Sequence, residues 1–195
     1  MKCASTVLVI LLATWAVATA QEVVKPPPPP PEPPRSREAP LSPIPQAPHI
    51  ASQVYLGEPA PDFELDGSEG RPVRLAQLKG YWVLLVFSDR REALAPLKGI
   101  HAGLRELGVR AYGICADKAH VLKSYAARQR LPVVLLSDVT GEISQLYGLY
   151  DLGSRSIRPG FVLMDRRGVV HMALLGQSMP MGDVLDMVKT AVGGT

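Results

Sequence analysis

The chain has few cysteines and almost no excess of one charge. Its 195 residues include two cysteines, Cys3 and Cys115, and its formal net charge is +3. A charge this small, spread along the sequence, argues against nucleic acid or an anionic membrane surface as the partner. Cys3 lies in a candidate signal segment, so the rest of the chain has one cysteine and an internal disulfide is excluded. Stability must therefore come from core packing.

The sequence also lacks the usual patterns of metal and phosphate sites. The four histidines have no ligand spacing and no accompanying cysteine pair; they are His49, His101, His120 and His171. No Gly-rich phosphate loop and no Ser-His-Asp arrangement occurs in a usable context. We therefore expect neither a metal nor a bound cofactor.

The amino terminus has the pattern of a secretory signal peptide. Lys2 precedes an apolar run over 7–20, and Ala18-Thr19-Ala20 forms a small-x-small cleavage site. The run is shorter than the roughly 18 apolar residues of a membrane span. We expect residues 1–20 to be removed and no stable span to remain. The mature chain would then begin at Gln21 and be exported, either to a periplasm or to the medium.

A proline-rich segment follows the signal pattern. Residues 26–48 hold 12 of the 19 prolines, and six of them are consecutive. Such a segment favours polyproline II and cannot bury a core. We interpret 21–52 as a disordered linker that acts as a semi-rigid stalk; a ligand for a proline-reading domain is the alternative.

Residues 53–195 alternate strand and helix patterns. The apolar run 82–87 predicts a strand buried on both faces, and the helical spacing of apolar residues over 97–107 predicts a helix ending at Gly108. Further strands are expected over 109–115, 132–136, 161–164 and 169–174, with hairpin turns at 66–70 and 165–168. Further helices are expected after Asp117 as the cap, over 142–147 and after Pro180. This order predicts one α/β domain.

Four phrases occur in order along the domain. They are the G-x-x-A-P-D-F pattern at 57–63, L-K-G-x-x-V-x-L-x-F at 78–87, L-P-x-x-L-L-S-D-x-x-G-E at 131–142, and R-x-x-F-x-x-x-D at 158–165. Together they resemble the thioredoxin-like superfamily and, within it, the peroxiredoxin or AhpC/TSA (redoxin) branch. The resemblance implies a thioredoxin-like fold, with a central mixed sheet covered by helices on both faces. It also implies an oxidoreductase or antioxidant activity.

The turn after the 82–87 strand lacks the thiol that this branch requires. A P-x-x-x-T-x-x-C phrase should follow Phe87, but the sequence there is Ser88-Asp89-Arg90-Arg91. Alignment with the W-C-x-x-C phrase of disulfide oxidoreductases places Ser88 and Arg91 at the two cysteine positions. Serine has no comparable acidity and cannot cycle through sulfenic acid or disulfide.

Cys115 is the remaining sulfur candidate. It closes a predicted strand, and the carboxyl ends of parallel strands form the functional edge of such sheets. A lone cysteine on a strand is more often a small buried hydrophobe, and we favour that structural interpretation over a reactive thiol.

A second candidate is a basic site for a carboxylate or phosphate. Ser88, Arg90 and Arg91 at an expected helix start would meet Arg158 and Pro159 at one edge of the sheet. Arg158 matches the arginine that pairs with the thiolate in the family, and Pro159 is a candidate cis-proline. A solvated basic turn is the alternative.

These observations predict a redox-silent binding or scaffolding module of the cell envelope, with an envelope protein or a small anionic ligand as its partner. The alternative is a thiol-dependent, peroxiredoxin-like oxidoreductase that uses Cys115.

Overall fold

The computed structural model describes residues 54–194. The predicted signal peptide at 1–20 and the proline-rich linker at 21–52 lie outside this range and stay predictions. Within the described part of the chain, no helix is long and apolar enough to cross a membrane.

The described residues form nine strands and four α-helices. The strands are β1 Glu64–Gly67, β2 Pro72–Arg74, β3 Trp82–Phe87, β4 Val109–Cys115, β5 Val134–Ser137, β6 Tyr150–Asp151, β7 Ser156–Ile157, β8 Gly160–Met164 and β9 Val170–Leu175. The helices are α1 Leu97–Glu106, α2 Ala119–Gln129, α3 Glu142–Leu146 and α4 Met181–Gly193. Short 3-10 turns occupy Leu75–Leu78 and Arg91–Leu94.

Seven strands form one mixed sheet in the order β2-β1-β5-β4-β3-β8-β9. The strands β5, β4 and β3 are parallel, whereas β8 and β9 continue the sheet antiparallel to their neighbours. The predicted α/β architecture, with a central mixed sheet, is confirmed. Because β3 and β4 run in parallel, their carboxyl ends meet at one edge.

The central strand β3 is buried on both faces, as its unbroken apolar sequence predicts. Val83, Leu85 and Phe87 face a cluster that includes residues of α3, while Trp82, Leu84 and Val86 face a cluster built from α1, α2 and α4. Side chains alternate because the side-chain period of a strand is two. Helices therefore cover both faces of the sheet.

The first described residues are joined to the carboxyl-terminal hairpin. Gly57 N donates to Val170 O at 2.8 Å, Val170 N donates to Glu58 O at 2.9 Å, and Ala60 N donates to Gly168 O at 2.9 Å. Pro59 and Val169 form the corresponding bridge. These bonds cover the beginning of the edge strand β9.

Three details differ from the sequence expectations. The helix start expected at Ser88–Arg91 is absent, because a 3-10 turn intervenes and α1 begins only at Leu97. Asp117 does not cap α2: the capping position is Lys118, and no side chain caps it. The two-residue strands β6 and β7 form a separate ribbon that the sequence did not predict.

Candidate functional site

The turn after β3 is held by Ser88. This residue is buried, its backbone N–H donates to Ile114 O at 3.0 Å, and its Oγ accepts from Arg90 N at 3.3 Å. These bonds fix the turn against β4. The helix α1 begins only at Leu97, and its Lys98 and Gly99 N–H groups donate to Ala95 O and Pro96 O. The expected helix start is therefore not at this turn.

Arg91 reaches across the sheet edge to the residues that follow β4. Its Nη1 donates to Asp117 Oδ2 at 3.0 Å, its Nε lies 3.1 Å from Glu92 Oε1, and its guanidinium lies 5.6 Å from the centre of the Tyr125 ring. The Asp117 carboxylate, as the largest influence, raises the pKa of Arg91. The side chain is therefore a paired cation that one hydrogen bond, to Asp117, holds in place, whereas its buried Nε has no hydrogen-bond partner.

Cys115 is the last residue of β4 and is fully buried. It belongs to the same core cluster as Leu94, Leu122 and Tyr125. Burial is the largest influence on the thiol and raises its pKa to about 11. The Asp117 backbone N–H and the charge of Arg91 act in the opposite direction, while the Asp117 carboxylate adds to the increase. At neutral pH the thiol is therefore protonated.

Cys115 and Ser88 are neighbours across β3 and β4. Phe87 pairs with Ile114 in parallel register, and each is followed by one of these two residues. Strands in a sheet lie about 4.8 Å apart, so the cysteine is one strand away from the turn at which the family phrase places its thiol. On the other side of β4, Cys115 pairs with Ser137.

Pro159 lies at the same edge, on the side of β8. Together with Ser88, Phe161 and Met179 it lines a small pocket of about 80 Å³. Its candidate cis bond is not observed, because every peptide bond between 54 and 194 is trans. The structure thus brings Ser88 and Pro159 together, as the sequence predicted.

The arginines, in contrast, do not share one site. The guanidinium of Arg158 lies against Gly176, just beyond β9, where a Cβ atom would collide with it. Arg91 faces the opposite way, towards Asp117 beyond β4, and Arg90 is exposed. Because β4 and β9 flank the central β3–β8 pair on opposite sides, the predicted cluster of three arginines is divided.

The sequence argument did not place two residues of the site, Asp117 and Tyr125. Asp117 was interpreted as a helix cap. The available signal was its place two residues after a strand end, at the edge where parallel strands deliver functional side chains.

The geometry is that of a thioredoxin-like sheet with its single thiol at the carboxyl edge. The AhpC/TSA family model matches residues 56–173. The chain therefore belongs to the AhpC/TSA family.

Similar proteins agree with this assignment. A chloroplastic peroxiredoxin Q from Sedum lineare is 29% identical over 148 residues, which are 72% of this chain and 79% of that protein. A selenocysteine-containing peroxiredoxin from Peptoclostridium acidaminophilum is 28% identical over 134 residues, covering 60% and 66% of the two chains.

Solved structures support the fold. Peroxidoxin BcpB from Mycobacterium tuberculosis superimposes with a TM-score of 0.65 at 20% identity, over 72% of this chain and 97% of its own. The reduced 2-Cys peroxiredoxin of Plasmodium vivax gives 0.61 at 23% identity, over 70% and 81%. The predicted thioredoxin-like fold is confirmed.

The comparisons correct the functional prediction. The first interpretation, a redox-silent binding or scaffolding module, rested on the turn without a cysteine. It is wrong, because the relatives are peroxiredoxins. They favour the alternative, a thiol-dependent antioxidant.

Proposed function

We propose that the protein is a thiol-dependent antioxidant of the peroxiredoxin class and that Cys115 is the reacting sulfur. The observation that carries this proposal is the end of β4, which delivers Cys115 to the carboxyl edge of the sheet beside Ser88. Among residues 54–194 it is the only cysteine. Its neighbour Arg91 supplies a positive charge that favours the thiolate.

The reaction begins when the Cys115 thiolate attacks one oxygen of a hydroperoxide. The S–O bond forms as the O–O bond breaks, the leaving oxygen takes a proton, and the products are a sulfenic acid and an alcohol or water. A thiol donor then condenses with the sulfenic acid, and water leaves as a mixed disulfide forms. A second thiol releases Cys115 and carries away the donor disulfide. With one cysteine in the domain, both thiols must come from other molecules.

Burial makes this reaction slow at neutral pH. With a pKa of about 11, roughly one Cys115 in 10,000 is a thiolate at pH 7. The sulfur is also fully covered, so a peroxide reaches it only when the covering residues move. We therefore expect a modest turnover that increases with pH.

The test measures loss of hydrogen peroxide and of cumene hydroperoxide by the full-length chain with dithiothreitol as donor. Cys115→Ser removes the proposed sulfur, and Cys3→Ser is the matched control that retains it. We expect turnover in the wild type and in Cys3→Ser, background loss in Cys115→Ser, and labelling of Cys115 by a sulfenic acid trap. Equal rates in the wild type and in Cys115→Ser would reject the proposal.

We also propose that the protein acts outside the cytoplasmic membrane, with 21–52 as a spacer and an envelope protein as its thiol donor. The supporting observation is the sequence pattern of residues 1–20. Amino-terminal sequencing of fractionated cells should give Gln21 in an exported fraction. A chain that keeps Met1 and stays in the cytosol would contradict the proposal.

A further inference from the structure

A charged pair lies close to the end of β4, because Arg91 binds Asp117, two residues beyond Cys115. Cys115 is 0% exposed and Tyr125 is 5% exposed, whereas the side chains of Arg91 and Asp117 are 29% and 31% exposed. Exposure therefore increases from the sulfur through the tyrosine ring to the ion pair. The pair lies at the carboxyl end of β4, where the Asp117 backbone N–H also donates to the sulfur.

We propose that Arg91, held by Asp117, is a positioning residue that increases the reactivity of Cys115. The inference rests on the proposed function, since it assigns further residues to that reaction. Arg91 does not touch the reacting oxygen in this proposal. It acts through the charge that it brings to the sulfur. Asp117 holds the guanidinium through a hydrogen bond, while its own negative charge acts against the thiolate.

The backbone that carries Arg91 is a 3-10 turn packed against the core. Leu94, at the end of the same 3-10 turn, is fully buried in the cluster that contains Cys115. The turn is closed by hydrogen bonds from Ala93 N to Arg90 O and from Ala95 N to Glu92 O, at 3.1 and 3.2 Å. The turn that carries Arg91 is thus anchored in the same core cluster as Cys115.

The charged groups that act on Cys115 come from two elements: the 3-10 turn contributes Arg91 and Glu92, and the loop after β4 contributes Asp117. Tyr125 of α2 packs in the same core cluster, and burial raises its pKa, so it is neutral at physiological pH. Arg91 is the cation of this described group and lowers the pKa of the thiol, whereas both carboxylates raise it. Removing the charge of Arg91 and removing the charge of Asp117 in a variant that keeps an acceptor for Arg91, such as Asp117→Asn, should therefore have opposite effects.

A purely structural role predicts a different result. If Arg91 only covered the thiol, its removal would expose Cys115 and accelerate its reactions at every pH. If its charge matters, removing it raises the pKa of Cys115, so that less thiolate is present at each pH. Because the thiolate is the reacting form, the reaction then becomes slower, and the plot of log rate against pH shifts to higher pH. Arg91→Lys keeps the charge without the planar fork and should retain most of the effect.

The experiment follows alkylation of Cys115 by iodoacetamide in the full-length chain carrying Cys3→Ser, from about pH 7 to about pH 10. At a given pH we expect Arg91→Gln to react about threefold to tenfold more slowly and Asp117→Asn to react faster by a similar factor, the scale of one charge near a partly buried group. Arg91→Lys should lie near the wild type. Arg128→Gln, an exposed arginine of α2, is the matched control and should be unchanged.

The proposal is overturned if Arg91→Gln reacts as fast as the wild type or faster, or if Cys115 resists alkylation in every folded variant. Should Asp117→Asn fail to fold, Glu92→Gln provides the second test and should also accelerate the reaction. Alkylation requires no peroxide. An absent peroxidase activity with the expected alkylation pattern would therefore reject the proposed function and leave this inference standing.

Discussion

The tripeptide Asp-Arg-Arg follows a buried strand twice, at 89–91 beyond β3 and at 165–167 beyond β8. In the second copy the aspartate's side chain makes only local bonds. The Asp165 carboxylate accepts from Arg167 N at 2.8 Å and from Val169 N at 2.9 Å, and pairs with Arg167 Nε at 3.1 Å. In the first copy Asp89 is exposed, and the last arginine pairs with Asp117.

The residues beside each tripeptide explain the difference. Gly168 adopts φ +82° and returns the chain at once into β9, so Asp165 finds its backbone partners within four residues. After β3 the chain crosses over to a helix, and the Ser88 hydroxyl accepts the backbone N–H of Arg90. The charges of the hairpin thus stabilise the hairpin itself. After β3, in contrast, Arg91 pairs with a residue just beyond the end of β4, the strand that ends in the only thiol of the domain.

The comparison first predicts a large pH effect at the β3 edge. Because the pKa of Cys115 is about 11, its alkylation should accelerate about tenfold per pH unit, or about a hundredfold from pH 7 to pH 9. Mass spectrometry of iodoacetamide-treated protein measures this rate. Asp165→Ala should leave the profile in place. An alkylation rate that does not change with pH would show that movement of the residues covering Cys115, and not ionisation of its thiol, limits the reaction.

The second prediction concerns the two aspartates. Asp165→Ala should destabilise the fold by about 1–3 kcal/mol because two backbone N–H groups lose their acceptor. Asp89→Ala should change the free energy of unfolding by less than about 0.5 kcal/mol. Urea denaturation of the full-length chain measures both. Similar values for the two variants would remove the distinction between the copies.

The third prediction gives the pH dependence of that difference. Burial raises the pKa of Asp165, but hydrogen bonds from Val169 and Arg167 outweigh it and leave the pKa below its usual value. A lowered folded-state pKa stabilises the fold above the unfolded pKa of about 3.9, and this contribution is lost as pH falls through the folded value. The stability gap between wild type and Asp165→Ala should be full at pH 7 and narrow below about pH 4. A gap that stays constant down to acid unfolding would contradict it.

The smallest expected effect concerns glycine. Gly168→Ala should cost about 1 kcal/mol because its positive φ is unfavourable for residues with a Cβ atom. Gly99→Ala is the matched control, since Gly99 is exposed inside α1 with open space around it, and alanine there should stabilise by about 0.5–1 kcal/mol. Thermal melting should show a lower melting temperature for Gly168→Ala and a higher one for Gly99→Ala. Melting temperatures that change in the same direction would mean that the hairpin does not require a positive φ at Gly168.

Much of the fold followed from local patterns. The apolar run of β3, the helical spacing of α1 and the turn at 165–168 each carry their structure in a few neighbouring residues. The position of β1 beside β5 did not follow, because pairing between strands about 70 residues apart leaves no local periodicity. The ribbon of β6 and β7 is too short to show any alternation.

The site was predicted in part for the same reason. Cys115 at a strand end and the approach of Ser88 to Pro159 follow from strand order alone. The directions of Arg91 and Arg158 depend on what lies beyond β4 and β9, namely Asp117 and Gly176, which sequence spacing does not connect to either arginine.

The bridge between Pro59 and Val169 sets an order of events during synthesis. These residues are roughly 110 positions apart, so the segment around Gly57 has no partner until the final hairpin has left the ribosome. Long-range closure of this kind is slow and comes late in folding. A nascent chain that ends before β8 would leave 57–60 without its partners in the final hairpin, open to proteases and to holding chaperones. The amino-terminal segment of the domain should thus be the last to become protected from amide exchange.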